Sequence, residues 1–520
     1  MIPPVKNRKE QENTVLTIYL AFILMIQFSQ VLSQSVPFDT LGVNTATMHI
    51  NLTSAGKLGW QTSDIGIYWR GGDVPHWKNR VVFDHGLWLS GYRQDSLWTI
   101  APAWLGEFSP GPIIDGEAAM VKAPENFNQY RIYHITQEST PNDSDYVEWP
   151  IHWGAPHNDD GTPQINGDQT TFMVYNDAHP SSSLQGYPKS PPNPIEIHET
   201  VWDYGHRDSL SNVIFFRYQV YNRGTVPLDN VIIGHWNDID LAGVVNNMGG
   251  YNKRGDYMFM YYDNDTITGV IPRACAYVML QGPLAPAPGN TGRFFGQEIP
   301  DAENLSLSSG WCIYDDAEIF SDVGSFPITP EEQRNIMAGT MPDGSPLINP
   351  ITGDTTTFSF DGDPITKEGW IWEDIYPGGG AGYVMSSGPF SLSAGDSNEI
   401  VVALIAVPDT TFEQVLLKLE EQVVWLRSWW EDNWNVATGF YPPQIPDQFT
   451  LYQNYPNPFN PVTTIRYELP EQTSVKLVVY DILGQEVAVL VQERQAPGIR
   501  EVKFDARNLA SGIYFYRLST

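Results

Sequence analysis

The segment VIFFRYQVYNRGTVPLDNVIIGHW, residues 213–236, constrains the fold of this chain more than any other. Ile214, Phe216, Tyr218 and Val220 alternate with Phe215, Arg217 and Gln219, Asn222 to Gly224 carries turn residues, and Val231 to Trp236 returns as a second apolar run. Apolar residues at every second position suit a pleated strand, whose side chains point to opposite faces in turn. The same signal recurs at 132–135, 171–175, 257–262, 276–280 and 400–406, between proline-rich loops such as YPKSPPNP (187–194) and GPLAPAPG (282–289). With 44 Gly and 40 Pro in 520 residues, many short strands joined by turns are expected, and the class is all-β. A chain of this length exceeds what one core organises, so at least two domains are expected.

One helix interrupts the strands. Thr411 and Gln414 have the spacing of a capping box, and Phe412, Val415, Leu416, Leu419, Val423, Leu426 and Trp430 then share one helical face. Trp425, Trp429 and Trp434 broaden that stripe. Packing against the β core is the favoured reading of the tryptophans, and a sugar platform the competing one. A similar choice concerns Trp69, Trp77, Trp88, Trp98 and Trp104.

The two ends are distinct. Lys6, Arg8 and Lys9 precede an apolar run from Val15 to Phe28 and then small residues, which is the layout of a secretory signal peptide, residues 1–35, cut after Ser33 or Ser35. The run falls short of the roughly 20 apolar residues that cross a bilayer, so no permanent transmembrane helix is expected. The acidic β-rich body follows at 36–434, including the helix 411–434. A proline-rich linker at 435–448 leads to a small Ig-like β-sandwich at 449–520.

Charge separates these regions. The formal net charge is -32, whereas residues 449–520 hold seven basic and seven acidic residues, so the acidity belongs to the body. Such a field repels phosphate backbones and anionic lipid, which argues against nucleic acid as a partner.

The last 72 residues carry the most specific pattern. LYQNYPNPFNPVTTIRYELP, VKLVVYDILGQEVAVLV and GIREVKFDARNLASGIYFYRL resemble the C-terminal sorting domain of type IX (Por) secretion cargo, found in Bacteroidetes and related bacteria. The motif residues are Tyr455, Pro456, Asn457, Pro458, Phe459, Asn460 and Pro461, then Gly484, Gly512 and Tyr514. The resemblance implies Sec-dependent passage to the periplasm and handling by the type IX machinery. It also implies a final location in the medium or on the outer cell surface. Family members continue past YRL into a further strand, where this chain stops at Ser519 and Thr520. The body more loosely resembles an uncharacterised exported region, through EWPIHWGAP, GDQTTFMVYNDAHP, HETVWDYG, VIIGHWNDIDLAG and SSGPFSLSAGDSNEIVVALIAV. That resemblance implies no activity.

Candidate chemistry in the body is sparse. Asp238 with Asp240, and Asp263 with Asp265, follow strand signals at alternate positions that could converge on one oxygen-rich site, which makes them calcium candidates. Asp159 with Asp160, and Asp361 with Asp363, are further carboxylate pairs, and solvated turn aspartates account for each pair equally well. Glu196 with Glu199, and Glu373 with Asp374, lie near aromatics as a glycosidase would need, without a spacing that singles them out. His198 and His206 flank Trp202, and His152 and His157 bracket Gly154, but HExxH, GxSxG and Walker glycine patterns are absent. Cys275 and Cys312 either form a disulfide or remain buried thiols. The expectation is an exported noncatalytic protein that binds an extracellular glycan, a protein partner or calcium. Its competitor is a secreted hydrolase of an extracellular polymer.

Overall fold

A computed structural model describes residues 37–58, 66–70, 79–102, 108–158, 160–180, 191–241, 247–262, 271–294, 296–314, 329–372, 381–437, 449–454, 457, 459, 461–469, 473–495, 498–507, 509 and 512–520. The all-β expectation holds. Two large antiparallel sheets form the body. One runs in the order Thr40–Asn44, Met48–Thr53, Ile67–Trp69, Arg80–Arg93, Leu228–Ile239, Ala381–Leu392, Leu307–Tyr314, with Ser96–Ile100 also on Arg80–Arg93. The second runs Asn247–Asn252, Tyr257–Tyr262, Arg273–Gln281, Ser397–Pro408, Val213–Asn222, Ile195–Asp203, Gln169–Asn176, Ser109–Pro110, with Tyr133–Thr136 also on Gln169–Asn176. Their inner faces share one hydrophobic core, in which Phe216 and Val220 of one sheet are buried with Leu87 and Ile233 of the other.

The two strands of residues 213–236 do not pair with each other. Val213–Asn222 lies in the second sheet between Ile195–Asp203 and Ser397–Pro408, and Leu228–Ile239 lies in the first. The chain therefore crosses from sheet to sheet at Asn222. The Asn222 amide Nδ2 donates to the carbonyls of Val226 (2.9 Å), Leu392 and Ser393 (both 3.1 Å), so the crossing is held beside the parallel crossing that follows Leu392. A strand placed in mid-sheet of a covered sandwich is buried on both faces, and all of Val213–Val220 is buried, including Arg217 and Gln219.

One loop expectation is overturned. GPLAPAPG belongs to a two-stranded ribbon, Leu284–Phe294 with Gln297–Asn304, whose register shifts between Pro286 and Thr291. Each strand of such a ribbon has one free edge, where the N–H that proline lacks is not needed.

The helix spans Phe412–Ala437. Gln414 N–H donates to Thr411 Oγ1 (3.3 Å), while the Gln414 side chain bonds Thr410 Oγ1 at 2.5 Å, so half of the expected capping box forms. Val415, Leu416, Leu419, Val423, Leu426 and Trp430 are buried as their spacing requires, and Phe412 packs at the margin of the same core.

The C-terminal region has its own core. One three-stranded sheet contains Thr450–Leu451, Val462–Leu469 and Gly498–Asp505, and the other contains Glu486–Gln495, Thr473–Tyr480 and Phe515–Ser519. Val475, Leu477 and Val479 point inward as their alternation predicts, against Ile465, Tyr467, Leu469 and Phe504. Its lead-in is tied to the final strand. Asn454 N–H donates to Tyr516 Oη (2.8 Å), and Tyr516 Oη donates to the Tyr452 carbonyl (2.7 Å).

Candidate functional site

Strand Ile195–Asp203 carries most of the titratable residues of interest, and its pleat divides them. Glu199 faces the neighbouring sheet, whereas Glu196 and His198 face away from it, because side chains three positions apart on a strand point to opposite faces.

The inward side meets a sealed polar network. Glu199 Oε2 accepts from Tyr175 Oη (2.9 Å). Tyr218 lies 3.4 Å from His235 Nε2, and His85 Nδ1 lies 2.8 Å from Tyr277 Oη. Tyr383 Oη accepts from Tyr277 N–H (2.8 Å) and donates to the Met258 carbonyl (3.1 Å). At one margin Asp84 Oδ1 accepts from the amides of Leu58 (3.2 Å) and His85 (2.9 Å). Burial raises Glu199 and Asp84 to about 7, the latter against the attraction of Lys57, and lowers His85 to about 3. Shifts of this size accompany catalysis in many proteins. Here Asp84, His85, Glu199, Tyr218, His235 and Tyr277 are all buried, so no solute reaches them. The network joins the two sheets.

On the outward side of the same strand the Glu196 carboxylate is fully engaged. Glu196 accepts from Ile113 N–H (2.6 Å), His198 Nε2 (2.8 Å) and Arg223 Nε (3.0 Å). Although burial alone would raise it, the Arg223 charge and the His198 bond hold its carboxyl at about 2. His198 in turn lies tilted against Tyr221, with ring centroids 4.4 Å apart and 36° between planes. A carboxylate so fully bonded and so acidic cannot deliver a proton at neutral pH.

An accessible constellation forms where the end of this strand meets the helix. Trp430 points into the core against Phe215, but Trp425 is 39% exposed. Trp425 stacks on Trp429 (6.4 Å between centroids, 19° between planes), and Trp429 meets Tyr204 edge to face at 5.4 Å. The guanidinium of Arg207 lies over Tyr204, 5.4 Å from the ring centroid. His206, exposed next to it, bonds Asp168 through both its ring Nδ1 and its backbone N–H, the latter at 2.7 Å. Behind them Asp203 accepts from Gln169 Nε2 (2.6 Å) and Gly205 N–H (3.1 Å), and burial raises its carboxyl to about 6. The result is an aromatic ledge bordered by a guanidinium, an imidazole and a carboxylate. Helical spacing identified these tryptophans, but only the fold shows that Trp425 reaches solvent while Trp429 is half-buried over Tyr204, which is itself buried.

The other residues singled out by sequence fall as follows. Asp240 is buried and ion-paired with Arg80 (2.5 Å), so an arginine already neutralises it. Asp238 lies two residues earlier, within strand Leu228–Ile239, half-buried. Asp263, Asp265, Asp159, Glu373 and Asp374 lie outside the described residues. Among the described residues no three His, Cys, Asp or Glu side chains converge as a metal ion requires. Cys275 and Cys312 sit in different sheets as buried free thiols, so the bridge allowed by sequence is not formed. Burial raises both thiols, Cys312 to about 12. His152 is exposed, and His157 bonds the Ala155 carbonyl (3.1 Å).

In the sorting motif, Phe459 packs at the margin of the C-terminal core, 6.0 Å from the ring of Phe504, and Pro461 accepts from Ala506 N–H (2.9 Å). Asn457 and Gly512 are exposed, Gly484 takes a left-handed turn, and Tyr514 packs on the core. Tyr455, Pro456, Pro458 and Asn460 lie outside the described residues. Among the described residues no helix is long and apolar enough to cross a membrane.

Comparison with known proteins bears on the tail. No curated protein matches the chain. A solved polysaccharide lyase aligns with a TM-score of 0.24 and 7% identity, over 90% of this chain and 42% of that one, a likeness too slight to carry fold or activity across. The chain thus spans less than half the length of that enzyme. The secretion system C-terminal sorting domain matches residues 453–520, so the chain carries at its C-terminal end the sorting domain of type IX secretion cargo.

Proposed function

We propose that the body is a noncatalytic binding protein for an extracellular glycan. On this reading a Sec signal peptide and periplasmic transit bring the chain to the type IX machinery, which releases it to the medium or the cell surface. The observation that carries the binding reading is the exposed Trp425 ring stacked on the half-buried Trp429, with buried Tyr204 holding Trp429 from beneath. Flat aromatic faces cover the apolar face of a sugar ring, and neighbouring Arg207, His206 and Asp168 offer donors and an acceptor to its hydroxyls. The interior groups with shifted protonation are all enclosed, which favours binding over catalysis.

The competing reading, a secreted hydrolase, has one observation in its favour, the raised carboxyl of Asp203 with the charge of Asp168 near it. Asp203 is buried, however, and both its oxygens already accept hydrogen bonds. Affinity electrophoresis against a panel of soluble polysaccharides tests both readings. Retardation by at least one glycan, reduced about tenfold in affinity by Trp425→Ala, is the expected result. Depolymerisation of any panel member would establish the hydrolase instead, and binding unaffected by Trp425→Ala would remove the ledge.

A further inference from the structure

The sorting domain carries an apolar cluster that its own core does not use. Ile482, Leu483, Ile513 and Phe515 are 70%, 77%, 68% and 58% exposed. Topology draws them to one end of one sheet. Ile482 and Leu483 form the tip of the turn between strands Thr473–Tyr480 and Glu486–Gln495. Phe515 pairs with Tyr480, the residue that enters that turn, and Ile513 lies two residues before Phe515.

The turn is built, not loose. Asp481 Oδ1 accepts from the amides of Leu483 (2.8 Å) and Gln485 (3.0 Å), Asp481 N–H donates to the Gln485 carbonyl (3.0 Å), and Gly484 sits at φ 80°. These bonds require Asp481 and Gly484, but nothing in them requires aliphatic side chains at 482 and 483, where polar residues would serve a turn equally. Four large apolar side chains held in water on so small a domain mark an interaction surface.

We infer that this end of the sorting domain is the surface on which a protein component of the type IX secretion machinery docks through apolar contacts. The occupant follows from the identity of residues 453–520 as a secretion sorting domain. Charge argues against the lipid surface as the occupant, since seven basic and seven acidic residues in 449–520 supply no net attraction to anionic lipid. The inference is independent of what the body binds.

The test measures binding of the purified full chain to outer membranes from a type IX-competent bacterium and from a derivative lacking that machinery. The double variant Ile482→Ser/Leu483→Ser is expected to bind the competent membranes about tenfold more weakly, as hot-spot truncation does. Its melting temperature should stay unchanged, which separates lost docking from lost folding. The neighbouring pair Ile513→Ser/Phe515→Ser should reproduce the loss, and Ile351→Ser, an exposed apolar residue of the body, should not. Undiminished binding by either double variant overturns the inference. So do failure of the parent chain to bind, equal binding to membranes without the machinery, and a loss confined to self-association, which would assign the patch to a second copy of the chain.

Discussion

The polar network between the two sheets and the aromatic ledge beside the helix use overlapping residue types to opposite ends. In the network Glu199, Asp84, His85 and His235 have strongly displaced protonation, yet water and solutes are excluded from them. At the ledge Trp425, His206 and Arg207 meet solvent, and their partners are arranged around a surface instead of inside one. In this protein, displaced protonation therefore reports burial and sheet-to-sheet attachment. Accessibility, not the size of a shift, locates where a ligand can act.

The largest expected effect lies on the outward face of the sheet that carries Glu199, where burial is equally complete. Arg217 and Glu399 form a fully buried ion pair, with Arg217 Nε on Glu399 Oε2 at 2.8 Å and Gln281 Nε2 on Oε1 at 2.7 Å. Glu399→Ala leaves a guanidinium buried without its carboxylate and should cost about 3–5 kcal/mol. Urea unfolding measures it, and a cost under about 1 kcal/mol would mean that water enters the interior.

Glu199→Gln sharpens the same point through pH. The folded carboxyl is raised from 4.5 to about 7, so the native state holds the proton more tightly than the unfolded chain. Its contribution to stability is full below about pH 4.5 and is lost as pH rises through about 7. Relative to the parent, the glutamine variant should be near neutral at pH 4.5 and more stable by up to about 3 kcal/mol at pH 8. Paired urea titrations at the two pH values decide this, and equal differences at both would show that Glu199 is not desolvated.

A smaller loss is expected where the first sheet reaches over Tyr175. Gly56 has φ +71°, and a Cβ there would lie 2.3 Å from the Tyr175 ring. Gly56→Ala should destabilise by about 1–3 kcal/mol, as a strained left-handed residue does. Thermal melting measures it, and an unchanged midpoint would show that the loop does not rest on Tyr175.

The ledge should show the reverse profile. Trp425→Ala should change stability by less than about 1 kcal/mol, since the residue is 39% exposed and is not among the buried core residues. A large stability loss would make Trp425 a packing residue and abolish the contrast with Trp430.

Much of the fold is legible in the chain. Alternation located strand Tyr257–Tyr262 to the residue and the inward set Val475, Leu477 and Val479. Helical spacing selected Val415, Leu419, Val423, Leu426 and Trp430 as the buried stripe. The candidate sites were less legible. Asp240 looked like a metal ligand because nothing near it in sequence reveals Arg80, 160 residues away. Glu196 and Glu199 looked like a pair until the pleat placed them on opposite faces.

What the sequence determines by itself is local or recurrent: the strand and helix periods, the acidic body beside a neutral tail, and the sorting address at the C-terminal end. These depend on neighbours a few residues apart and on an ordered motif. Only the tertiary structure decided that residues 213–222 and 228–239 enter different sheets, that the shifted acids and histidines are sealed between those sheets, and that Trp425, but not Trp430, faces water. Those outcomes depend on contacts between residues distant in the chain, and period alone says which side chains share a face without saying what covers it.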